Sequence, residues 1–93
     1  MKYIKDYNDG DRMSDIYLCK HKLSAMTKNG KPYENVILQD KTGTIDAKIW
    51  EPNSAGIEDY DTLDYIEVYG EVHNFQGALQ VNVRRIRVCR EGE

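Results

Sequence analysis

Residues 33–50 read YENVILQDKTGTIDAKIW. In the first half, Val36 and Leu38 alternate with Tyr33, Asn35, Ile37 and Gln39; in the second, Ile45, Ala47 and Ile49 alternate with Thr44, Asp46, Lys48 and Trp50. A hydrophobic period of two marks a strand with one face in a core and the other in solvent. Lys41-Thr42-Gly43 between the halves is turn chemistry. Tyr33–Asp40 and Thr44–Trp50 are therefore expected as consecutive antiparallel strands, with Val36, Leu38, Ile45, Ala47 and Ile49 inward.

Upstream, residues 15–27 read as a long first strand in which Tyr17, Cys19, His21 and Leu23 alternate with Leu18, Lys20, Lys22 and Ser24. Tyr17 and Leu18 are both large, so a bulge is expected within it. Lys28-Asn29-Gly30-Lys31-Pro32 is a turn, Asn-Gly being a strong hairpin signal. Residues 1–13 hold the turn-forming cluster Asn8-Asp9-Gly10-Asp11 and are expected as an irregular lead-in, with Ile4 docked on the body.

Downstream, Pro52 cannot donate to a ladder. Ser54 is placed to cap a short helix through Leu63, with Ile57, Tyr60 and Leu63 on one face. Asp64–Asn74 is the fourth strand, with Ile66, Val68, Gly70 and Val72 inward and Tyr65, Glu67, Tyr69, Glu71 and His73 outward. Gly70 in mid-strand suggests a sharp bend at a barrel corner. Phe75-Gln76-Gly77-Ala78 is a turn. Leu79–Val88 is the fifth strand; Ile86 and Val88 have the opposite parity to Leu79, Val81 and Val83, so a bulge near Arg84-Arg85 is expected. Arg90 to Glu93 is a polar end. Five strands that would otherwise leave exposed edges point to closure into a small barrel. The expected fold class is all-β, a five-stranded OB-fold (a Greek-key barrel) with a short helix or loop between the third and fourth strands. The 93 residues are expected to form one domain, with 1–13 the lead-in and 14–90 the barrel.

The formal net charge is −3, which excludes a uniformly basic nucleic-acid protein. The charge is unevenly placed: residues 14–50 carry +2, residues 51–78 hold no base and carry −7, and residues 79–93 carry +2 through four arginines. Two positive segments thus flank an acidic one, and one face can attract phosphate while another stays anionic. The run from Glu58 to Glu71 also reads as plain solvated surface. No apolar run approaches the roughly 18–20 residues of a membrane span. Cys19 and Cys89 lie far apart with no CxxC pairing, and are expected as reduced thiols in a cytoplasmic protein.

The runs Gly30-Lys31-Pro32-Tyr33, Leu38-Gln39-Asp40-Lys41-Thr42-Gly43 and Ile45-Asp46-Ala47-Lys48-Ile49-Trp50 resemble the OB-type nucleic-acid-binding family of the tRNA-anticodon class. Val68-Tyr69-Gly70-Glu71-Val72 and Leu79-Gln80-Val81 continue the likeness. Together with Gly10-Asp11 before the first strand, the chain is similar to the N-terminal OB domain of YhaM-type 3′-to-5′ exoribonucleases of Gram-positive bacteria. That resemblance implies RNA and single-stranded DNA as substrates of the whole enzyme, and a C-terminal HD nuclease domain absent from this chain. His21 and His73 are followed by Lys22 and Asn74, not by Asp, so no catalytic residue carries over. Arg90-Glu91-Gly92-Glu93 directly after the last strand suggests a cut boundary.

Bases stack on aromatic rings while phosphates meet Lys or Arg, and OB-folds present both on the second and third strands and the flanking loops. The candidate contacts are Tyr33, Asn35, Ile37, Lys48 and Trp50 on the strands, and Lys28, Lys31, Phe75 and Gln76 on the loops. Trp50 also suits a cover for the barrel end. Arg84 and Arg85, in a cluster with Arg87 and Arg90, form a second candidate phosphate site; pairing with Glu67 and Glu71 would neutralise it. With few cations, binding is expected to be weak and sequence-tolerant, micromolar or poorer, with a salt slope of about 0.7 per phosphate. A protein-interaction or oligomerisation module, using Tyr65, Tyr69, Ile37 and Val88, is the alternative. Enzyme readings are weak: Asp40 and Asp46 are first of all turn residues, Lys41-Thr42-Gly43 lacks the glycine-rich run of a P-loop, and the histidines have no Ser or Cys partner. No cofactor, no metal and no membrane partner is expected for this domain.

Overall fold

A computed structural model describes residues 1–90. Its strands are β1 (Arg12–Met26), β2 (Pro32–Asp40), β3 (Gly43–Ile49), β4 (Tyr65–Phe75) and β5 (Ala78–Val88), preceded by a single 3₁₀ turn at Ile4–Asp6. They close into a barrel in the order β1-β2-β3-β5-β4, antiparallel everywhere except β3 against β5. Closure leaves no free sheet edge, which is the reason so short a chain can be all strand. This is the OB-fold expected from the sequence.

The period-two alternation places the core as expected. Val36, Leu38, Ile45, Ala47, Ile49, Ile66, Val68, Val72 and Val81 are buried. Two bulges repair the parity breaks. The β1–β2 register shifts between Cys19 and His21, leaving Lys20 as the extra residue. The β4–β5 register shifts so that Tyr69 pairs with Arg85 while Gly70 pairs with Val83, leaving Arg84 unpaired. That second bulge lets Ile86 return to the core at 2% exposure. At the same point β4 and β5 come close enough that a Cβ on Gly70 would lie 2.3 Å from the carbonyl oxygen of Asn82. The β4–β5 hairpin turns through Gln76 and Gly77, both at positive φ, as a two-residue turn matching strand twist requires.

The structure departs from expectation in two places. β1 begins at Arg12, inside the expected lead-in, because Arg12 pairs with Glu71 and Met13 is buried. Residues 54–63 form turns and a bridge instead of a helix. Their backbone groups are taken by β5: Ile86 N–H donates to Gly56 O at 2.9 Å and Glu58 N–H donates to Ile86 O at 3.1 Å, forming the parallel bridge between Ile57 and Ile86. Of the apolar face expected there, Tyr60 is buried at 3% exposure and Ile57 packs half-buried against the core, but Leu63 is 70% exposed, because without a helix it does not share their face. Past Arg90, the expected polar end lies outside the described residues. Among the described residues no helix is long and apolar enough to cross a membrane.

Each barrel end is closed by a tyrosine. At one end the lead-in folds back: Tyr17 Oη donates to Lys2 O at 2.6 Å, and the Tyr7 and Tyr17 hydroxyls are 2.7 Å apart. Tyr17 has a single proton, already given to Lys2, so Tyr7 is the donor of the pair. Burial raises the pKa of both. At the other end Tyr60 Oη donates to Glu34 Oε1 at 2.6 Å, and Lys22 Nζ donates to Tyr60 O at 2.7 Å while lying 3.8 Å from Glu34 Oε2. Burial raises the Tyr60 pKa, and the Glu34 carboxylate beside it raises it further.

Two predictions follow from this frame. Gly70→Ala drives a Cβ into backbone, which cannot rotate away, so a loss of about 3 kcal/mol is expected, the upper end usual for overpacking; the urea midpoint should fall with an unchanged m-value. The second concerns Asp40, which anchors the lead-in by accepting from Ile4 N–H at 2.8 Å and from Thr42 N–H and Oγ1 at 2.7 and 2.6 Å. Burial pushes its pKa up, but these hydrogen bonds outweigh burial and hold it below the ordinary 3.8. Folded-state depression stabilises above the unfolded pKa and is lost as pH falls through the folded one. The stability difference between wild type and Asp40→Asn should therefore be constant above pH 3.8 and shrink below it, as read by denaturation at stepped pH.

Candidate nucleic-acid interface

The ladder registers place the outward side chains of four strands in rows around the barrel. One row runs Leu23, Asn35, Lys48, Asn82 from β1 through β2 and β3 to β5. The neighbouring row runs His21, Ile37, Asp46, Gln80 and continues to His73 on β4. Residues paired across a ladder point to the same side of the sheet, so neighbours in each row adjoin on the outer wall and the β2 and β3 members of the two rows lie side by side.

Tyr33 and Trp50 cap this surface at the β2 start and β3 end. Their rings lie 5.1 Å apart between centroids, tilted by 32°. Trp50 is 46% exposed, so it is a platform rather than a buried plug. Its indole Nε1 donates to Asn82 Oδ1 at 3.2 Å. Lys48 Nζ donates to Asn35 Oδ1 and lies 5.6 Å from the Tyr33 ring centroid. The four side chains and Asn82 thus form one linked cluster, in which Trp50 is exposed and Tyr33, Asn35 and Lys48 are half-buried.

A groove lies on each side of Trp50. One, of about 230 Å³, is lined by Lys31, Pro32, Pro52, Asn53 and neighbouring residues of the same loops. The other, of about 310 Å³, is lined by Asn82, Arg84, Glu51, Ser54 and Ile57 among others. Lys31 is therefore beside the ring pair, while Lys28 sits exposed at the tip of the β1–β2 turn. Ile37 is half-buried in the second row. Phe75, 56% exposed, pairs with Ala78 beyond the His73–Gln80 step. It therefore lies with Gln76 at the opposite end of the face from Trp50.

The arginines divide. Arg84 lines the groove but is tied to Glu71, Nη2 to Oε1 at 2.8 Å. That pairing lowers the Glu71 pKa and raises that of Arg84. Arg87 pairs with Glu67 at 3.0 Å. Arg85 stands over the Tyr69 ring at 5.9 Å from its centroid, on the β4–β5 ladder beyond the bulge. Of the two readings open for this cluster, the structure shows the acid pairing for Arg84 and Arg87. Asn82 was not legible as a site residue: an outward asparagine on a strand is unremarkable until the parallel β3–β5 pairing sets it beside Lys48 and below Trp50.

Of the two aspartates weighed as metal ligands, Asp40 spends its carboxylate on Ile4 and Thr42. Cys19 is buried, its thiol pKa raised by burial, and among the described residues Cys19 and Cys89 form no disulfide.

The sequence pattern of the OB-fold nucleic acid binding domain family matches residues 18–89. The chain is 36% identical over 92 residues to the 3′-5′ exoribonuclease YhaM of Geobacillus sp. (strain WCH70). That match covers 99% of this chain and 28% of the relative, so the chain spans little more than a quarter of that protein's length. Among solved structures, the fold is similar to a replication protein A heterotrimer bound to ssDNA (TM-score 0.68, 17% identity, 88% of this chain and 59% of that one). It is also similar to the second OB-fold domain of replication protein A from Methanococcus maripaludis (TM-score 0.61, 20% identity, 99% and 97%). These likenesses carry the fold; the sequence match over most of the barrel carries the family. The chain belongs to the OB-fold nucleic acid binding domain family.

Proposed function

We propose that this domain binds single-stranded RNA or DNA across Tyr33, Asn35, Lys48 and Trp50, and serves as the substrate-holding part of a 3′-to-5′ exoribonuclease. The observation that carries this is the ring pair of exposed Trp50 and half-buried Tyr33 with the Lys48 ammonium beside it. A base stacked on such a ring contributes about 1–3 kcal/mol, and a nearby cation meets the adjoining phosphate. Lys31 extends the cationic side. Lys28, Ile37, Phe75 and Gln76 form the margins of the same face. Arg84 and Arg85 contribute least, the first because Glu71 already neutralises it.

Hydrolysis belongs to the remainder of the longer protein, for which the HD nuclease domain implied by the resemblance is the proposed partner, and this chain needs no cofactor. Weak binding becomes useful once tethered, because a covalent linkage holds the strand at high effective concentration near the second domain. A reducing, cytoplasmic setting suits Cys19 and Cys89, which form no disulfide with each other. A second reading, association with protein, is favoured by a separate groove of about 450 Å³ lined by Met1, Tyr3, Ile16, Leu18 and Tyr65.

Trp50 is the only tryptophan, so its fluorescence should be quenched when a short single-stranded oligonucleotide binds at low salt. Tyr33→Ala should weaken binding roughly tenfold, within the range for one stacked base. Lys48→Glu should weaken it at least as much and flatten the salt dependence by about 0.7 in the log–log slope, one phosphate contact. Unchanged affinity in both variants would place the strand elsewhere. No binding, with a mass that rises with concentration in sedimentation, would support the protein-association reading.

A further inference from the structure

We infer that Asp46, with Gln80 beside it, makes this face select guanine among the bases of a single strand. The inference rests on the proposed binding face and adds to it a choice of base.

Asp46 lies in the middle of the second row, paired across β2–β3 with Ile37 and across β3–β5 with Gln80. It is exposed. In the first row the polar groups are already engaged, Asn35 with Lys48 and Trp50 with Asn82. In the second row, neither the Asp46 carboxylate nor the Gln80 amide has a side-chain hydrogen bond or ion pair among the described residues. The open polar pair therefore sits one row beyond Asn35 and Lys48, on the side away from the stacking rings and four residues from Trp50.

A free carboxylate at the centre of a face that takes a polyanion repels any phosphate that approaches it. The strand must therefore turn its backbone away from Asp46 and toward Lys48 and Lys31, which leaves base edges opposite Asp46. An ionised carboxylate only accepts hydrogen bonds, through two oxygens set side by side. Guanine alone offers two adjacent donors on one edge, N1–H and the N2 amino group, and so meets both oxygens at once. Its O6 then faces the Gln80 amide, which can donate. Cytosine and adenine offer one amino donor next to a ring acceptor. Uracil offers N3–H between two carbonyls, both repelled by a carboxylate. Ile37 on the other side of Asp46 supplies an apolar wall that excludes water without competing for these bonds.

The test compares two labelled RNA octamers by fluorescence anisotropy at low salt: octauridylate, and the same octamer with one central guanosine. A single guanosine avoids guanine-run self-association. The wild-type chain should bind the guanosine octamer roughly tenfold more tightly, the range of one bidentate base contact. Asp46→Asn, at an exposed position, should erase that preference while leaving octauridylate binding equal or tighter, since a repelling charge is gone. Gln80→Ala should reduce the preference partially. If wild type binds both octamers equally, or if Asp46→Asn keeps the preference or weakens both alike, the inference is overturned while the stacking face stands. If neither octamer binds, the proposed function falls and the inference falls with it. Circular dichroism of each variant separates these outcomes from loss of fold.

Discussion

A side chain at position 70 has no room: the carbonyl oxygen of Asn82 would stand 2.3 Å from its first carbon, and Val81 Cγ1 3.1 Å. This close approach of β4 to β5 is what bends the fourth strand sharply enough for five strands to meet as a cylinder. The rest of the molecule is arranged around it. The bulge at Arg84 sits immediately beyond it and returns Ile86 to the core. On the other side, the Asn82 backbone that presses on Gly70 carries the side chain that accepts from Trp50 Nε1. A steric constraint in the barrel wall thereby fixes Trp50, the exposed member of the ring pair. The proposed interface inherits its geometry from a backbone contact rather than from the flexibility of its own loops.

Charge is sorted by the same topology. Three of the seven acids in 51–78 are engaged by β5: Glu71 holds Arg84, Glu67 holds Arg87, and Glu58 Oε1 accepts from Val88 N–H at 2.8 Å. Exposed pairs of this kind add little to stability. Their consequence is electrostatic: they cancel the arginines that would otherwise compete for phosphate. Among the described residues, Lys28 and Lys31 of the β1–β2 turn and Lys48 of β3 form no ion pair, whereas Lys22 of β1 is committed to Glu34 and Tyr60 at the barrel end. An anionic flank and a cationic face can then coexist on a chain whose net charge is −3.

What was legible in the sequence was what depends on local alternation. The inward set on β2, β3 and β4 followed from period two, and the parity break between Val83 and Ile86 announced a bulge before any coordinates. The failures are of a different kind. Ile57 and Tyr60 are three apart, as on a helix face, yet they reach the core from turns, Tyr60 buried and Ile57 half-buried, because the hydrogen bonds of Gly56 and Glu58 go to Ile86 and not along the segment. The bridge that decides this, and the parallel pairing that brings Asn82 to Trp50, join residues about 30 apart. Nothing in local composition encodes such a register. The arginine cluster was ambiguous for the same reason: whether Glu67 and Glu71 face it depends on strand pairing, and antiparallel β4–β5 registers put Glu67 opposite Arg87.

Preorganisation separates the two rows of the proposed interface. The Asn35–Lys48 and Trp50–Asn82 contacts hold rotamers that would otherwise be ordered only on binding, so part of that entropic cost is met in the free protein. Stacking on a fixed ring is indifferent to base identity, since every base has a π-face. A domain with the first row alone would therefore grip any strand weakly and without preference. The second row differs in keeping its carboxylate and amide unengaged, and hydrogen-bonding groups without internal partners are where discrimination can arise: a wrong base leaves them facing acceptors or water lost without replacement. On the proposed reading, affinity and choice are thus assigned to adjacent rungs of one ladder, the first set by side chains already paired with each other and the second by side chains that are not.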